Sequence, residues 1–334
     1  MSFKICTIGC GNMATRGHGP SFKKYAIENS DVEFAACCDI DVLKSEAFAE
    51  QFGFKRAYTN FEDMLNIEKP DAVCIILPVH LTTKIAVEVI NKGFPVLLEK
   101  PPGRNSEETQ MIIDAAKQKG VPAHVAFNRR YMPLLRELKK ALDSGFTPEK
   151  IQHLNLDFYR SGRKDDDFST TAIHGIDSVM FLSGSNYKHI TFQYQSIKYL
   201  GENVVNIFMF CEFESGATAH LSFCPINGAI MERIKVLAND NLFLLNLPVW
   251  GGIDSQGSLI HLVKKQVVKE ITGDELVNPR DLFDANGFYG ENKAFFDGLK
   301  SGKKMDHHIT TTLQSVEIAH CIRERREEYN FHQK

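Results

Sequence analysis

The chain has 334 residues, 43% of them apolar and 24% charged, with 39 lysines and arginines against 42 acidic residues. This is the composition of an ordinary globular protein, and the length suggests about two domains. A net charge of −3 supplies no basic field for nucleic acid or an anionic membrane, and no run approaches the ~20 apolar residues that span a bilayer.

Residues 3–8, Phe-Lys-Ile-Cys-Thr-Ile, make a short apolar run that reads as a first buried strand and is too short for a secretory leader. Gly9-Cys10-Gly11-Asn12-Met13-Ala14 follows at once. This is the G-x-G-x-x-G/A pattern between a strand and a helix, and Asp39 closes the next apolar run. Gly9 permits a tight turn, Gly11 lets a pyrophosphate approach the backbone, and Ala14 allows close packing of helix on strand. The free N–H groups and positive end of the helix attract phosphates. A structural turn is the plain alternative, but the place of the motif at the head of an alternating pattern points to a dinucleotide. Asp39 lies 25 positions after Ala14, beyond the usual ~20. Gly17, Gly19 and Pro20 in between predict a broken or extended first helix that absorbs the difference. Asp39 suits a ribose diol and repels a 2′-phosphate, and Ile40 beyond it offers no cation. NAD is therefore expected over NADP.

Strand and helix signals alternate to about residue 125. Val32–Cys38 is a buried strand. Asp41 caps a helix to Phe52, with Gly53 past its end. Asp71–Leu77 is a strand ended by Pro78, and Leu81–Asn91 a helix stopped by Gly93. Pro95–Glu99 is a strand cut off by Pro101-Pro102. Ser106 caps a helix to Lys119, and Val121–Phe127 is a further strand. Repeated β-α-β units build a parallel sheet whose ligands bind beyond the carboxyl ends of the strands. After about residue 145, the runs Ile151–Tyr159, His189–Leu200, Val204–Phe213, Ala217–Phe223, Glu232–Ala238 and Leu242–Leu247 follow without that alternation. They predict a mostly antiparallel sheet, with a hairpin at Glu214-Ser215-Gly216. One helix, Thr171–Leu182, interrupts it, and helices around residues 286–300 and 311–327 close the chain. The expected fold is α/β, with a dinucleotide-binding domain over residues 1–125 and an α+β substrate domain over 126–334.

The eight cysteines show no C-x-x-C pair and no Cys/His zinc spacing. Most sit in apolar runs as small hydrophobes, which suits a reducing cytoplasm and argues against a structural metal.

Glu99-Lys100-Pro101-Pro102 ends a central strand, at the edge where ligands bind. Lysine there is a mobile cation with three donors, suited to polarising a hydroxyl or carbonyl oxygen. A surface lysine beside a proline turn is the alternative from position alone. Together with the glycine motif, Asp39, Pro78, Asn128-Arg129-Arg130-Tyr131 and His174-x-x-Asp177, this segment resembles the Gfo/Idh/MocA family, which includes glucose–fructose oxidoreductases and inositol dehydrogenases. The motifs cover most of the chain in the right order. The resemblance implies an N-terminal Rossmann domain and a C-terminal domain with an open, mostly antiparallel sheet that often forms the oligomer contact. It implies NAD or NADP, a sugar, inositol or related polyol as substrate, a cis Lys100–Pro101 bond, and a homodimer or homotetramer.

By register, the resemblance implies that His174 is the catalytic histidine. The family usually places a carboxylate four residues earlier, on the same helical face. Here that position is Thr170, within Phe168-Ser169-Thr170-Thr171-Ala172. A threonine hydroxyl neither accepts a proton at neutral pH nor stabilises an imidazolium. Either His174 acts as base with Lys100 tuning it, or one of Asp165, Asp166 and Asp167 reaches in, or the chemistry has altered. A core histidine anchoring the helix is the plain alternative. Asp177 either orients the ring or pairs with a backbone donor. Arg160, Arg163 and Lys164 either bind an acidic substrate or neutralise the aspartates beside them.

The expected cofactor contacts are Gly9, Gly11, Asn12, Met13, Asp39 and Ile40 around the glycine turn; Leu77, Pro78 and His80 at the next strand end; and Glu99, Lys100 and Asn128 beyond it. Val79 and Thr82 depart from the Asn and His common in the family. His18 is expected on a cleft rim or the surface. Lys100, Arg163, Asp167, Thr170 and His174 are the candidate substrate contacts. The expected reaction is hydride transfer between a ring hydroxyl and the nicotinamide, with His174 taking the hydroxyl proton and Lys100 stabilising the alkoxide. Oxidation followed by glycosidic elimination, hydration and re-reduction is a second reading. A non-catalytic NAD- or sugar-sensing protein is a third.

Overall fold

Six strands, β1 (Phe3–Ile8), β2 (Val32–Cys38), β3 (Arg56–Tyr58), β4 (Ala72–Ile75), β5 (Val96–Glu99) and β6 (Ala123–Ala126), pair in parallel in the order 3-2-1-4-5-6. The helices α1 (Gly19–Glu28), α2 (Val42–Phe52), α3 (Phe61–Glu68), α4 (Val79–Asn91) and α5 (Ser106–Lys119) connect them. β4, β5 and β6 are buried along their whole length, which is why they are mainly apolar and do not alternate, with Glu99 and His124 as the polar exceptions. The strand order reverses between β1 and β4, so the loops after these two strands border the switch point.

The computed structural model describes residues 2–302 and 308–331. Its contacts divide the chain into one unit of residues up to Asn128 with Gly287–Val316, and a second of Arg129–Asn286 with the residues from Glu317 on.

Local signals account for most boundaries in the first unit. Asp41 accepts from Leu43 N at 3.1 Å to start α2, and Gly53 ends it in the left-handed region. The cap of α5 is Asn105 and not Ser106. Asn105 lies outside the helix with φ −150 and accepts from Glu108 N at 2.9 Å, leaving Ser106 as the first helical residue. The broken first helix is a π-turn over Ala14–His18 that runs into α1. Only glycine fits at two of its positions. A Cβ on Gly17 would lie 2.6 Å from the Phe288 ring, and one on Gly19 2.6 Å from Phe52.

The second unit contains α6 (Pro133–Gly145), β7 (Ile151–Tyr159), α7 (Ser169–Ser183) and then β8 (Tyr187–Ser196), β9 (Val205–Phe213) and β10 (Thr218–Cys224). β11 (Met231–Ala238), β12 (Asn241–Asn246), β13 (Ser258–Val263), β14 (Gln266–Thr272) and the short α8 (Leu282–Ala285) follow. α9 (Phe288–Ser301) belongs to the first unit, and the division falls within α10 (Leu313–Arg323), before β15 (Glu328–Asn330). Nine strands form one sheet in the order 14-13-12-11-7-10-9-8-15, antiparallel except for the β7–β10 pair. Leu154, Leu156, Phe158, Ile234 and Val236 turn one face of this sheet to a core shared with Leu135 and Leu138 of α6 and Ile176 of α7. α7 sits close to β7 because residue 175 is glycine: a Cβ there would lie 2.5 Å from Leu156.

Two expectations are corrected. Residues 126–334 do not form one domain, because α9 returns to the first unit. The Phe296 ring lies 5.1 Å from Tyr25, and the Tyr25 hydroxyl donates to Asp297 Oδ1 at 2.7 Å. The last helix also ends earlier than residue 327. Arg325 takes φ +53, and the chain turns there into β15. Among the described residues, no helix is long and apolar enough to cross a membrane.

Candidate functional site

The parallel sheet brings the expected cofactor residues of the first unit to one edge. Gly9 and Gly11 follow β1, Asp39 and Ile40 follow β2, Leu77, Pro78 and His80 follow β4, and Glu99 and Lys100 close β5. Asn128, two residues beyond β6, is buried.

The two motif glycines meet different constraints. Gly9 has φ +97, donates to Cys38 O at 2.8 Å, and would carry its Cβ 2.2 Å from Ile76 O. No other residue fits there. Gly11 is exposed, and a Cβ on it would meet nothing within 4 Å. The protein itself does not require glycine at that position, but a ligand lying against the backbone would. Asn12 and Met13 are exposed beside it.

Asp39 is tied to this turn. Its Oδ2 accepts from Cys10 N at 2.9 Å and its Oδ1 from Asp41 N at 3.0 Å. A carboxylate has about four acceptor sites, so capacity for a diol is left. Burial and the neighbouring Asp39 charge push the Cys38 thiol up to about 12. The Cys10 thiol is pushed up by its hydrogen bond with Cys37, by burial and by Asp39. Both therefore stay protonated, and Asp39 is the negative group of the turn. Ile40 is 93% exposed, an apolar surface next to that carboxylate. Leu77 is half-buried, while Pro78 and His80 lie exposed at the start of α4.

Glu99 faces inward. Its Oε2 accepts from Lys100 N at 2.9 Å, and its Oε1 lies 3.1 Å from His18 Nε2. Burial pushes the carboxyl up, but His18 and Lys100 outweigh it and hold Glu99 below the usual carboxylate range. His18, expected at a rim or on the surface, is 1% exposed. The π-turn carries it inward because Gly17 packs under the Phe288 ring. The Lys100–Pro101 bond is cis, as the family resemblance implies, and Lys100 is half-buried.

In the second unit the start of α7 gathers Arg163, Asp167 and Thr170. Asp167 Oδ1 accepts from Ser169 N at 3.0 Å, its Oδ2 pairs with Arg323 at 2.6 Å, and its carbonyl accepts from Thr170 Oγ1 at 3.0 Å. Asp165 pairs with Arg163, and Asp166 accepts from Asn203 at 2.9 Å. Each aspartate of the loop thus has a structural partner. Arg163 Nη2 also reaches Thr171 Oγ1 at 3.3 Å. His174 is buried one turn into α7, where Ser178 Oγ donates to its carbonyl at 2.7 Å. Asp177 accepts a bidentate pair from Arg130 at 2.6 and 2.7 Å, both groups being buried. That pairing ties Asp177 to a side chain from the segment just before α6.

One group went unrecognised in the sequence. Glu232 accepts from Arg129 Nη2 at 2.7 Å and from Arg160, and is 2% exposed. Burial raises its carboxyl, but Arg129 and Arg160 outweigh this and the net shift is downward. Burial also draws the Arg160 guanidinium down, yet an arginine remains charged. The signal was the alternation itself: Glu232 occupies the same sheet face as Ile234, Val236 and Ala238, where a lone charge demands a partner.

The model of an oxidoreductase family with an NAD-binding Rossmann fold, Gfo/Idh/MocA, matches residues 3–127. The first domain of this chain is thus similar to that family over residues 3–127. An oxidoreductase of Formosa agariphila is 35% identical over 137 residues, 41% of each chain. An inositol 2-dehydrogenase of Corynebacterium glutamicum is 24% identical over 222 residues, 64% of this chain and 65% of the relative. The matches thus span about two fifths to two thirds of these relatives' lengths. The crystal structure of an Agrobacterium radiobacter oxidoreductase in complex with NAD+, L-tartaric acid and magnesium matches with a TM-score of 0.80 at 17% identity, over 99% of this chain and 98% of that one. At that identity the likeness shows the fold. Gly11, Asp39 and Lys100 all lie in the stretch that this model covers, just beyond the carboxyl ends of β1, β2 and β5, the edge at which parallel sheets of this kind bind ligands.

Proposed function

We propose that the protein is an NAD-dependent dehydrogenase acting on a ring hydroxyl of a sugar, inositol or related polyol. The observation that supports this reading is the shared edge, where an open backbone at Gly11, the Asp39 carboxylate and the Lys100 side chain follow β1, β2 and β5 of one sheet. The relatives named as acting on inositol give the substrate class. The residues fit the cofactor: Gly11 leaves a cradle that no side chain fills, and Asp39 keeps acceptor capacity. Bound NAD+ supplies the hydride acceptor.

Gly9, Gly11, Asn12 and Met13 hold the pyrophosphate, and Asp39 and Ile40 hold the adenosine side. Leu77, Pro78, His80, Glu99 and Asn128 complete the cofactor's surroundings. His174 takes the proton of the reacting hydroxyl. The Lys100 ammonium stabilises the charge that grows on the oxygen, and Arg163, Asp167 and Thr170 contact the remainder of the substrate. Asp39 makes NAD+ bind more tightly than NADP+.

The experiment is an NADH absorbance assay over a panel of sugars and inositols, with Lys100→Met beside the native protein. Turnover is expected to fall about 10³-fold in the variant while NAD+ affinity stays within about threefold. Undiminished turnover in Lys100→Met removes the lysine from the mechanism. Glycoside cleavage without NADH accumulation replaces simple dehydrogenation.

A further inference from the structure

His18 has no role in the reading above, yet it is among the most deeply buried polar residues of the first unit. It ends the π-turn, with the Phe288 ring edge-on at 5.3 Å and Phe22 at 5.9 Å. Both ring nitrogens have a partner at 3.1 Å, Nδ1 with Asn292 Oδ1 and Nε2 with Glu99 Oε1. The Asn292 amide is fixed in orientation, because its Nδ2 donates to the Phe288 carbonyl at 2.7 Å. Its oxygen therefore faces the imidazole. An amide oxygen only accepts, so Nδ1 carries a proton. On the other side Glu99 Oε2 accepts the Lys100 N–H, and Oε1 lies within hydrogen-bond distance of Nε2.

These contacts form one continuous chain from the Phe288 carbonyl, through the Asn292 amide, the His18 ring and the Glu99 carboxylate, to the Lys100 backbone. Asn292, His18 and Glu99 are all buried. A buried polar chain with every link made selects one arrangement, and cutting it strands a desolvated group. A histidine that only filled space between two phenylalanines would not need both nitrogens matched in this way.

We propose that His18 is a positioning residue for Lys100: held by Asn292, it fixes the Glu99 carboxylate against the Lys100 amide and so sets the backbone from which the lysine side chain departs. Its consequence for turnover rests on the hydride-transfer reading, whereas the link to the Lys100 backbone does not.

Two variants test it. His18→Leu keeps bulk and loses both polar contacts, while His18→Gln keeps an N–H for Glu99. Hydrogen exchange of the Lys100 amide, followed by NMR, is expected to accelerate about tenfold or more in His18→Leu and to stay within about threefold of native in His18→Gln. In the dehydrogenase assay kcat falls about tenfold in His18→Leu with the NAD+ Kd within about twofold, and His18→Gln restores most of it. Unchanged Lys100 exchange in folded His18→Leu overturns the proposal. If that variant does not fold, Asn292→Leu cuts the same chain one link further out. It is expected to speed the same amide, and an unchanged rate there also overturns the proposal. A native protein that turns over no sugar or polyol refutes the dehydrogenase reading, and the exchange measurement still decides the role of His18.

Discussion

At the carboxyl edge of the six-stranded sheet, position is set mainly by the backbone. Gly9 is held by its φ and by the Ile76 carbonyl, and Asp39 is held by two main-chain N–H groups. In the second unit, position is set by charge. Arg130 holds Asp177, Arg129 and Arg160 share Glu232, and Arg323 holds Asp167. The first arrangement forms wherever the chain has a glycine with the right turn on either side. The second forms only when ionised groups from distant stretches of sequence meet, the Asp177 and Glu232 pairs largely out of water and the Asp167 pair partly exposed. The backbone-built edge should therefore respond to sterics and hardly to pH, and the ion-pair region the reverse.

The sharpest break of this comparison is Gly9→Ala. Its methyl has no room and its φ is disfavoured, so a loss of about 3 kcal/mol or more is expected in denaturant melts, with no dependence on salt. Glu232→Gln is the counterpart in the second unit. Removing the carboxylate leaves the buried Arg160 and the half-buried Arg129 uncompensated and should cost about 3 kcal/mol near neutral pH. The folded-state pKa of Glu232 is depressed, so its stabilisation is complete above the unfolded value of about 4.3 and is lost as pH falls towards the lower folded value. Melts of native and Glu232→Gln protein should accordingly begin to converge as pH falls through about 4.3 and meet only at the lower folded-state value, and a gap that does not narrow in acid would contradict the charge argument.

Gly11→Ala sharpens the comparison inside one loop. With nothing near its Cβ, stability should shift by no more than about 0.5 kcal/mol, while NAD+ affinity by calorimetry falls about tenfold or more. A large stability loss would mean that Gly11, like Gly9, serves the fold. The smallest effect belongs to Asn105→Ala, which removes the cap of α5 and should lower stability by about 1 kcal/mol. Ser106→Ala should leave stability nearly unchanged.

Much of the first unit was legible because its signals are local. The run Val32–Cys38 is β2 residue for residue, and Asp41 and Gly53 bracket α2. Short or mixed elements were not legible. β3 has only three residues, and α6 shows its stripe of Leu134, Leu135, Leu138 and Leu142 without an N-terminal cap bond. β13 is half-exposed along most of its length and β14 mostly exposed, so neither shows a clear alternation. The inward turn of His18 was hidden as well, because it depends on a phenylalanine ring 270 positions later.

The sequence by itself determined the glycine turn, the acid that closes β2, the lysine that ends β5 and the alternation that makes a parallel sheet, since each follows from the stereochemistry of a few adjacent residues. Only the tertiary structure decided that α9 joins the first unit, that Asp177 belongs to Arg130, that Glu232 serves two arginines and that His18 lies behind Glu99. The reason is physical: buried charges and hydrogen-bonding side chains must find partners wherever the fold supplies them, and sequence distance places no limit on which partner that is.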